Sequence, residues 1–229
     1  MLANICLHYV FDLWVEVWRR KCAQGDVMVV RYADDSVLGF QYQEEADRFL
    51  EAFRERLGKF GLELHPEKTR RIEFGRWAAR NRKKRGKGKP ETFDFLGFTH
   101  ISGKSRKGNF TVKRKTIAKR MRAKLQELKQ MLAVRRHDPV PETGKWLKSV
   151  VQGYFNYHAV PGNLDSLGLF RERLSQFWRH SLMRRSQKHR LNWERLHRLL
   201  ERWLPRPRVL HPWPELRFAV RNQGRSRMR

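Results

Sequence analysis

The sequence predicts an α+β fold that gives way to an all-helical segment. Three observations carry this reading. Up to about residue 110, helical apolar periodicity is mixed with short β-prone runs in the order α-β-β-α-β-β-β, which means strand pairs rather than crossover units. From about residue 114 onward the apolar spacing is helical throughout. The 229 residues include 40% apolar and 12% aromatic side chains, with 8 Trp and 14 Phe, enough for one or two domains with real cores. The expected division is 1–110 and 111–229.

The elements follow in order. Residues 2–24 read as a helix with Asn4, His8, Asp12, Glu16 and Arg20 as a polar stripe every fourth position. Most of its circumference is apolar, so it calls for burial on several sides. Two strands, Asp26–Ala33 and Ser36–Tyr42, meet at Asp34-Asp35, and a helix over Gln43–Phe60 stops at Gly61. Leu62–Leu64 and Ile72–Phe74 alternate as short strands, 76–91 reads as a basic loop, and Phe93–Phe98 resumes a strand. Beyond these, Ile117, Met121, Leu125, Leu128 and Leu132 form one helical stripe, and a second helix runs from Glu142 to about His158. Asn163 and Asn192 each stand where a helix N-cap belongs, before a third and a fourth helix. Trp178, Trp193 and Trp203 fall at core spacing in those helices, while Trp213, between two prolines, suits an exposed anchor.

Charge is the extreme feature. The chain has 51 Lys and Arg against 23 Asp and Glu, a net charge of +28. Residues 1–65 hold 8 basic and 11 acidic residues, and 66–229 hold 43 and 12. A mildly acidic head is joined to a strongly basic body, which suggests chemistry in one and polyanion binding in the other. An acidic small substrate does not account for so many cations. Residues 68–89 carry eleven Lys or Arg and one acid, and 171–229 carry sixteen Arg and one Lys against four acids. The Arg bias favours forked phosphate contacts. The best candidate RNA-contact strips contain Lys113, Arg114, Lys115, Lys119 and Arg120, and Arg184, Arg185, Lys188 and Arg190. Cys6 and Cys22 would lie about 24 Å apart on one helix, beyond disulfide reach, and the nine His form no zinc pattern. The opening apolar stretch is broken by polar residues, which fits neither a signal peptide nor a membrane span and points to the cytoplasm.

The most informative segment is Val29–Leu38, two apolar runs around Tyr32-Ala33-Asp34-Asp35. Adjacent carboxylates repel, and each raises the other's proton affinity. Held at the end of a rigid hairpin, they offer hard oxygen ligands to a divalent cation.

This tetrapeptide resembles the YxDD box of reverse transcriptases. Gly61–Thr69 resembles the next block of the same palm, and Phe95-Leu96-Gly97-Phe98 resembles the primer-grip block after it. Trp146–Tyr157, Pro161-Gly162-Asn163 and Leu204–Arg208 are similar to the maturase-specific thumb of bacterial group II intron-encoded proteins. The resemblance spans Leu2 to Val220 and implies a partial palm followed by a helical thumb. It implies that Asp34 and Asp35 bind two Mg²⁺ ions, that Tyr32 lines the primer end and that Lys68 sits near the departing pyrophosphate. Phe95, Leu96 and Gly97 would support the primer strand. The implied partners are intron RNA and an RNA template with a DNA primer, in a ribonucleoprotein.

The family's metal site also takes a third aspartate from an earlier palm strand, and this chain starts after it. Asp12, on a helical polar stripe, is a poor replacement. The expectation is a chain that binds RNA but does not polymerise alone, completed by a separate upstream half or by self-association. The alternative is a non-catalytic intron-RNA-binding module or a decayed remnant.

Overall fold

Residues 2–105, 107–185 and 191–213 are described in the computed structural model, which divides into two compact units, Met1–Ile72 and Glu73–Arg229. The architecture is mixed α+β, with two small antiparallel sheets and a set of helices.

In Met1–Ile72 the opening helix comprises α1 (Leu2–Leu7), a π turn (His8–Asp12) and α2 (Leu13–Cys22). The Leu13 N–H reaches back five residues to the His8 carbonyl, the widened pitch that defines such a turn. A two-stranded hairpin follows, β1 (Val27–Tyr32) and β2 (Asp35–Phe40), in the register Val27↔Phe40 to Tyr32↔Asp35. Helix α3 (Gln43–Gly58) completes the core, where Val10, Phe11, Val15 and Trp18 pack with Phe49, Phe53 and Leu57. The hairpin's Val27, Val29, Leu38 and Phe40 lie against that cluster. Glu45, in the first turn of α3, is 1% exposed, and its carboxylate accepts the Gln24 N–H at 2.5 Å and the Gly25 N–H at 3.1 Å. A buried carboxylate is tolerable when backbone donors satisfy it, and here it fixes the entry to β1.

The opening helix buries only one side. Leu2, Ile5, Tyr9, Leu13 and Val17 are exposed, and so are Met28, Val30 and Tyr32 on the far face of the hairpin. Leu62–Leu64 does not form a strand. Leu62 and Leu64 pack against the core as irregular chain, because the sheet of this unit ends at β2.

In Glu73–Arg229, Phe74 lies edge-on to Phe93 at 5.1 Å, and Ile72–Phe74 is irregular rather than a strand. The basic loop expected over 76–91 contains a helix, α4 (Ala78–Lys84), since Ala, Arg and Lys are strong helix formers. The single strand expected at Phe93–Phe98 is a hairpin, β3 (Phe93–Phe95) turning at Leu96-Gly97 into β4 (Phe98–Lys104). Strand β5 (Phe110–Thr116) pairs antiparallel with β4, so Lys113, Arg114 and Lys115 stand on a strand and not on a helix. The cations obscured the alternation there, and Gly108-Asn109 was the turn signal that preceded it.

Four helices follow: α5 (Ala118–Val134), α6 (Val140–His158), α7 (Leu164–Met183) and α8 (Trp193–Trp203). Leu128, Leu147, Val151, Leu167, Phe170, Leu174 and Trp178 are fully buried between them. Helices α6 and α8 touch closely: a Cβ on Gly144 would sit 2.6 Å from the Trp203 ring. Trp193, expected in the core, is instead 70% exposed and carries the Arg179 guanidinium 4.6 Å from its ring centroid. Asn192 caps α8 by accepting the Arg195 N–H at 2.9 Å. Asn163 makes no such cap. Its buried amide takes the Thr116 N–H at 3.0 Å and donates to the Thr116 hydroxyl and the His158 carbonyl, both at 2.8 Å. Among the described residues no helix is long and apolar enough to cross a membrane.

Candidate active site and nucleic-acid surface

The Tyr32–Asp35 segment closes the β1–β2 hairpin through the two-residue loop Ala33-Asp34. Two-residue hairpin loops need a positive φ, which usually selects Gly or Asn. Here Ala33 takes it, at φ 54°, a conformation that costs a non-glycine residue about 1 kcal/mol. Both Asp34 and Asp35 are exposed, and Tyr32, directly opposite Asp35 in the register, is 64% exposed. The loop therefore presents two adjacent carboxylates and one phenol to solvent from the end of a pair of strands. Lys68 is exposed in a turn in which its N–H meets the His65 carbonyl at 3.2 Å. No hydrogen bond or ion pair joins it to Asp34 or Asp35.

A residue outside the predicted site supports the loop. The Arg31 guanidinium forks onto Asp12, Nε to Oδ1 at 2.7 Å and Nη2 to Oδ2 at 2.5 Å, and its Nη1 donates to the Ala33 carbonyl at 2.7 Å. The fork holds the Asp12 carboxyl below its ordinary value, the Arg31 hydrogen bond being the largest cause. Asp12 is thus committed to an arginine in this structure, rather than grouped with the Asp34-Asp35 pair.

In Glu73–Arg229 the Leu96-Gly97 turn has both residues at positive φ, 47° and 79°, the pattern of a type I′ hairpin. Tyr157 on α6 fastens it: its hydroxyl donates to the Leu96 carbonyl at 2.9 Å, and a Cβ on Gly97 would lie 3.3 Å from its ring. The Ile117 N–H reaches the Gly97 carbonyl at 3.1 Å. An open cleft of about 290 Å³ results, lined by Gly97, Arg120, Met121, Lys124, Tyr154, Tyr157 and His158. It brings together one predicted primer-strand residue, Gly97, and one predicted RNA contact, Arg120. Phe95 and Leu96 are half-buried beside it in the sequence. Tyr157 was missed as a site residue. The signal for it was Tyr154, Tyr157 and His158 at spacings that share one helix face.

The other predicted contacts are dispersed. Lys113, Lys115, Lys119 and Arg120 are exposed along β5 and the first turn of α5, with Arg114 half-buried among them. Arg184 is exposed, but Arg185 donates to the Asp138 carbonyl at 2.8 Å and so also serves the fold. Lys188 and Arg190 lie outside the described residues. The exposed anchor expected at Trp213 is 51% exposed.

Burial pushes the Tyr154 hydroxyl up to about 12 and lowers both His158 and His100 from the ordinary 6.5. For each His the unfolded chain binds more protons between its lowered value and 6.5. Their stabilising contribution is present above about pH 6.5 and lost as pH falls through the lowered values. The Glu73–Arg229 unit is expected to unfold at lower urea at pH 5 than at pH 7.5, followed by NMR at Leu147 and Leu174. His158→Gln should shrink that difference; an unchanged difference in a His158→Gln, His100→Gln variant would refute the assignment.

Residues 1–100 match the family model of the reverse transcriptase (RNA-dependent DNA polymerase). The match covers the Asp34-Asp35 hairpin, Lys68 and the Phe95–Gly97 turn, and nucleic-acid binding is general among reverse transcriptases. No curated protein matches the chain.

Proposed function

We propose that this chain is part of a group II intron-encoded reverse transcriptase/maturase that binds intron RNA and assists its splicing and mobility. The observation that carries the reading is the hairpin loop presenting Asp34 and Asp35 side by side inside the reverse-transcriptase match. The basic body and its tyrosine-lined cleft supply the surface for the nucleic acid. Lys113, Arg114, Lys115, Lys119 and Arg120 are the proposed RNA contacts nearest that cleft in sequence. Exposed carboxylate oxygens are donors that suit Mg²⁺, so Asp34 and Asp35 are the residues that would hold it. When bound, the metal supplies charge neutralisation and activation of oxygens in phosphoryl transfer.

Two carboxylates make an incomplete clamp for a two-ion site. Among the described residues no group of three His, Cys, Asp or Glu could hold a metal ion. We propose that Asp34 and Asp35 need a further ligand from an upstream palm half or another copy, so that these 229 residues bind RNA without polymerising alone. The exposed apolar residues Leu2, Ile5, Tyr9, Leu13, Met28 and Val30 support that need for a covering partner.

Primer extension on an RNA template with Mg²⁺ tests this, with an Asp34→Ala, Asp35→Ala control in parallel. The expected result is no extension by either protein, with RNA retained at low salt and released as salt rises. Extension that disappears in the control would overturn the assignment of an incomplete site. Absence of RNA retention at any salt would overturn the binding role.

A further inference from the structure

The opening helix is irregular at one place, the π turn His8–Asp12, and two arginines hold that turn. Arg56 of α3 donates to the carbonyls of Val10 at 3.3 Å and Tyr9 at 3.4 Å. Arg31 of β1 takes both oxygens of Asp12. A widened turn frees backbone acceptors and shifts the side chains that follow it, so Asp12 owes its position to this local geometry. The remaining nitrogen of Arg31, Nη1, donates to the Ala33 carbonyl. That carbonyl belongs to the peptide plane that also carries the Asp34 N–H. Holding its oxygen fixes the orientation of the link into Asp34, in a loop whose preceding residue already sits at a positive φ.

We propose that Arg31 is a positioning residue for the Asp34-Asp35 pair, a planar strut set by Asp12 that holds the Ala33–Asp34 peptide in one orientation. This rests on the reading of Asp34 and Asp35 as metal ligands. A guanidinium is needed because one planar group must serve a bidentate acceptor on one side and a carbonyl on the other. A lysine ammonium keeps the charge but is a point donor without that fixed fork. Asn4 Oδ1, 3.4 Å from Nη1, is a further acceptor on the same edge.

The test uses the full chain and Mn²⁺ as the probe. Mn²⁺-induced NMR broadening at residues 32–36 measures metal affinity, and amide hydrogen exchange of Asp34, Asp35 and Ser36 measures the order of the loop. The variants are Arg31→Lys, Asp12→Asn and the two combined. The expected result is about tenfold weaker Mn²⁺ binding in each, the scale seen when a ligand's supporting partner is lost. The double variant should lose no more, because the two groups act as one unit. Loop exchange should accelerate by a similar factor while the Phe49 and Phe53 amides of α3 keep their protection.

If Arg31→Lys leaves both loop exchange and Mn²⁺ binding as in the wild type, the proposal is overturned. It is also overturned if the α3 amides lose as much protection as the loop, since Arg31 would then be a general tie. An Asp34→Asn, Asp35→Asn variant separates the two levels. If it binds Mn²⁺ like the wild type, the metal reading fails, and the exchange arm alone still decides whether Arg31 orders the loop.

Discussion

Asn163→Ala should cost the Glu73–Arg229 unit about 3 kcal/mol, because it leaves buried polar groups without partners rather than merely deleting contacts. Asn163 is 0% exposed and Thr116 is 7% exposed, so water does not replace what is lost. The Thr116 N–H loses the Asn163 carbonyl oxygen, and the Thr116 hydroxyl loses the amide donor. The His158 carbonyl suffers less, since it also accepts the Val160 N–H at 2.8 Å. Asn163→Asp should be no milder, because it removes both donors and places a carboxylate where no solvent reaches. Asn192→Ala is the natural comparison. It removes an exposed helix cap, and a loss of about 1 kcal/mol is expected. A protein with two compact units does not unfold in one step, so the readout is native-state hydrogen exchange of the slowest α6 and α7 amides. Equal costs for the two alanine variants would show that the Asn163 network does not tie β5 to the helices.

Those two asparagines also mark how far the sequence could be read. Each precedes an apolar helical run, and local pattern assigns both the same capping role. What separates them is Thr116, 47 residues from Asn163 in sequence, a distance no periodicity can see. The β1–β2 hairpin was legible because alternation and turn chemistry are local, but the loop is Ala33-Asp34 and not the expected Asp34-Asp35, so each residue of β1 pairs two positions earlier than that turn implies. The helices were legible for the same reason, including the stripe from Met121 to Leu132 that is buried as a unit. Strand β5 was not, since Lys113, Arg114 and Lys115 read as a basic RNA-contact strip at the start of a helix until β4 provides their register. Phe93–Phe98 has the composition of one strand, and only the positive φ of Leu96 and Gly97 shows a reversal. In the candidate site, Asp34 and Asp35 declare themselves by adjacency. Arg31 and Asp12 do not, because their fork depends on a π turn that shifts the helix out of its regular spacing.

The basic body makes the second large expectation. Replacing Lys113, Lys115, Lys119 and Arg120 together by Gln should weaken RNA binding about 100-fold at moderate salt and lower the salt slope by about 3. These four side chains are exposed on β5 and the first turn of α5, whereas Lys124 pairs with Glu127 at 2.7 Å. A cation already paired with a carboxylate releases fewer counterions on meeting a phosphate, so choice of residue matters as much as charge. Arg19 and Arg20, paired with Glu16 at 3.0 and 2.9 Å in the acidic unit, provide a control of already paired cations. Their replacement by Gln removes two positive charges and should leave the slope unchanged. Binding measured by filter retention from 50 to 300 mM salt, on several unrelated RNAs, distinguishes the outcomes. Loss of equal size on every RNA means that the strip positions the backbone and carries no sequence information. An undiminished slope in the fourfold variant would move the contact surface away from β5 and α5, leaving the arginine-rich C-terminal region as the principal polyanion site.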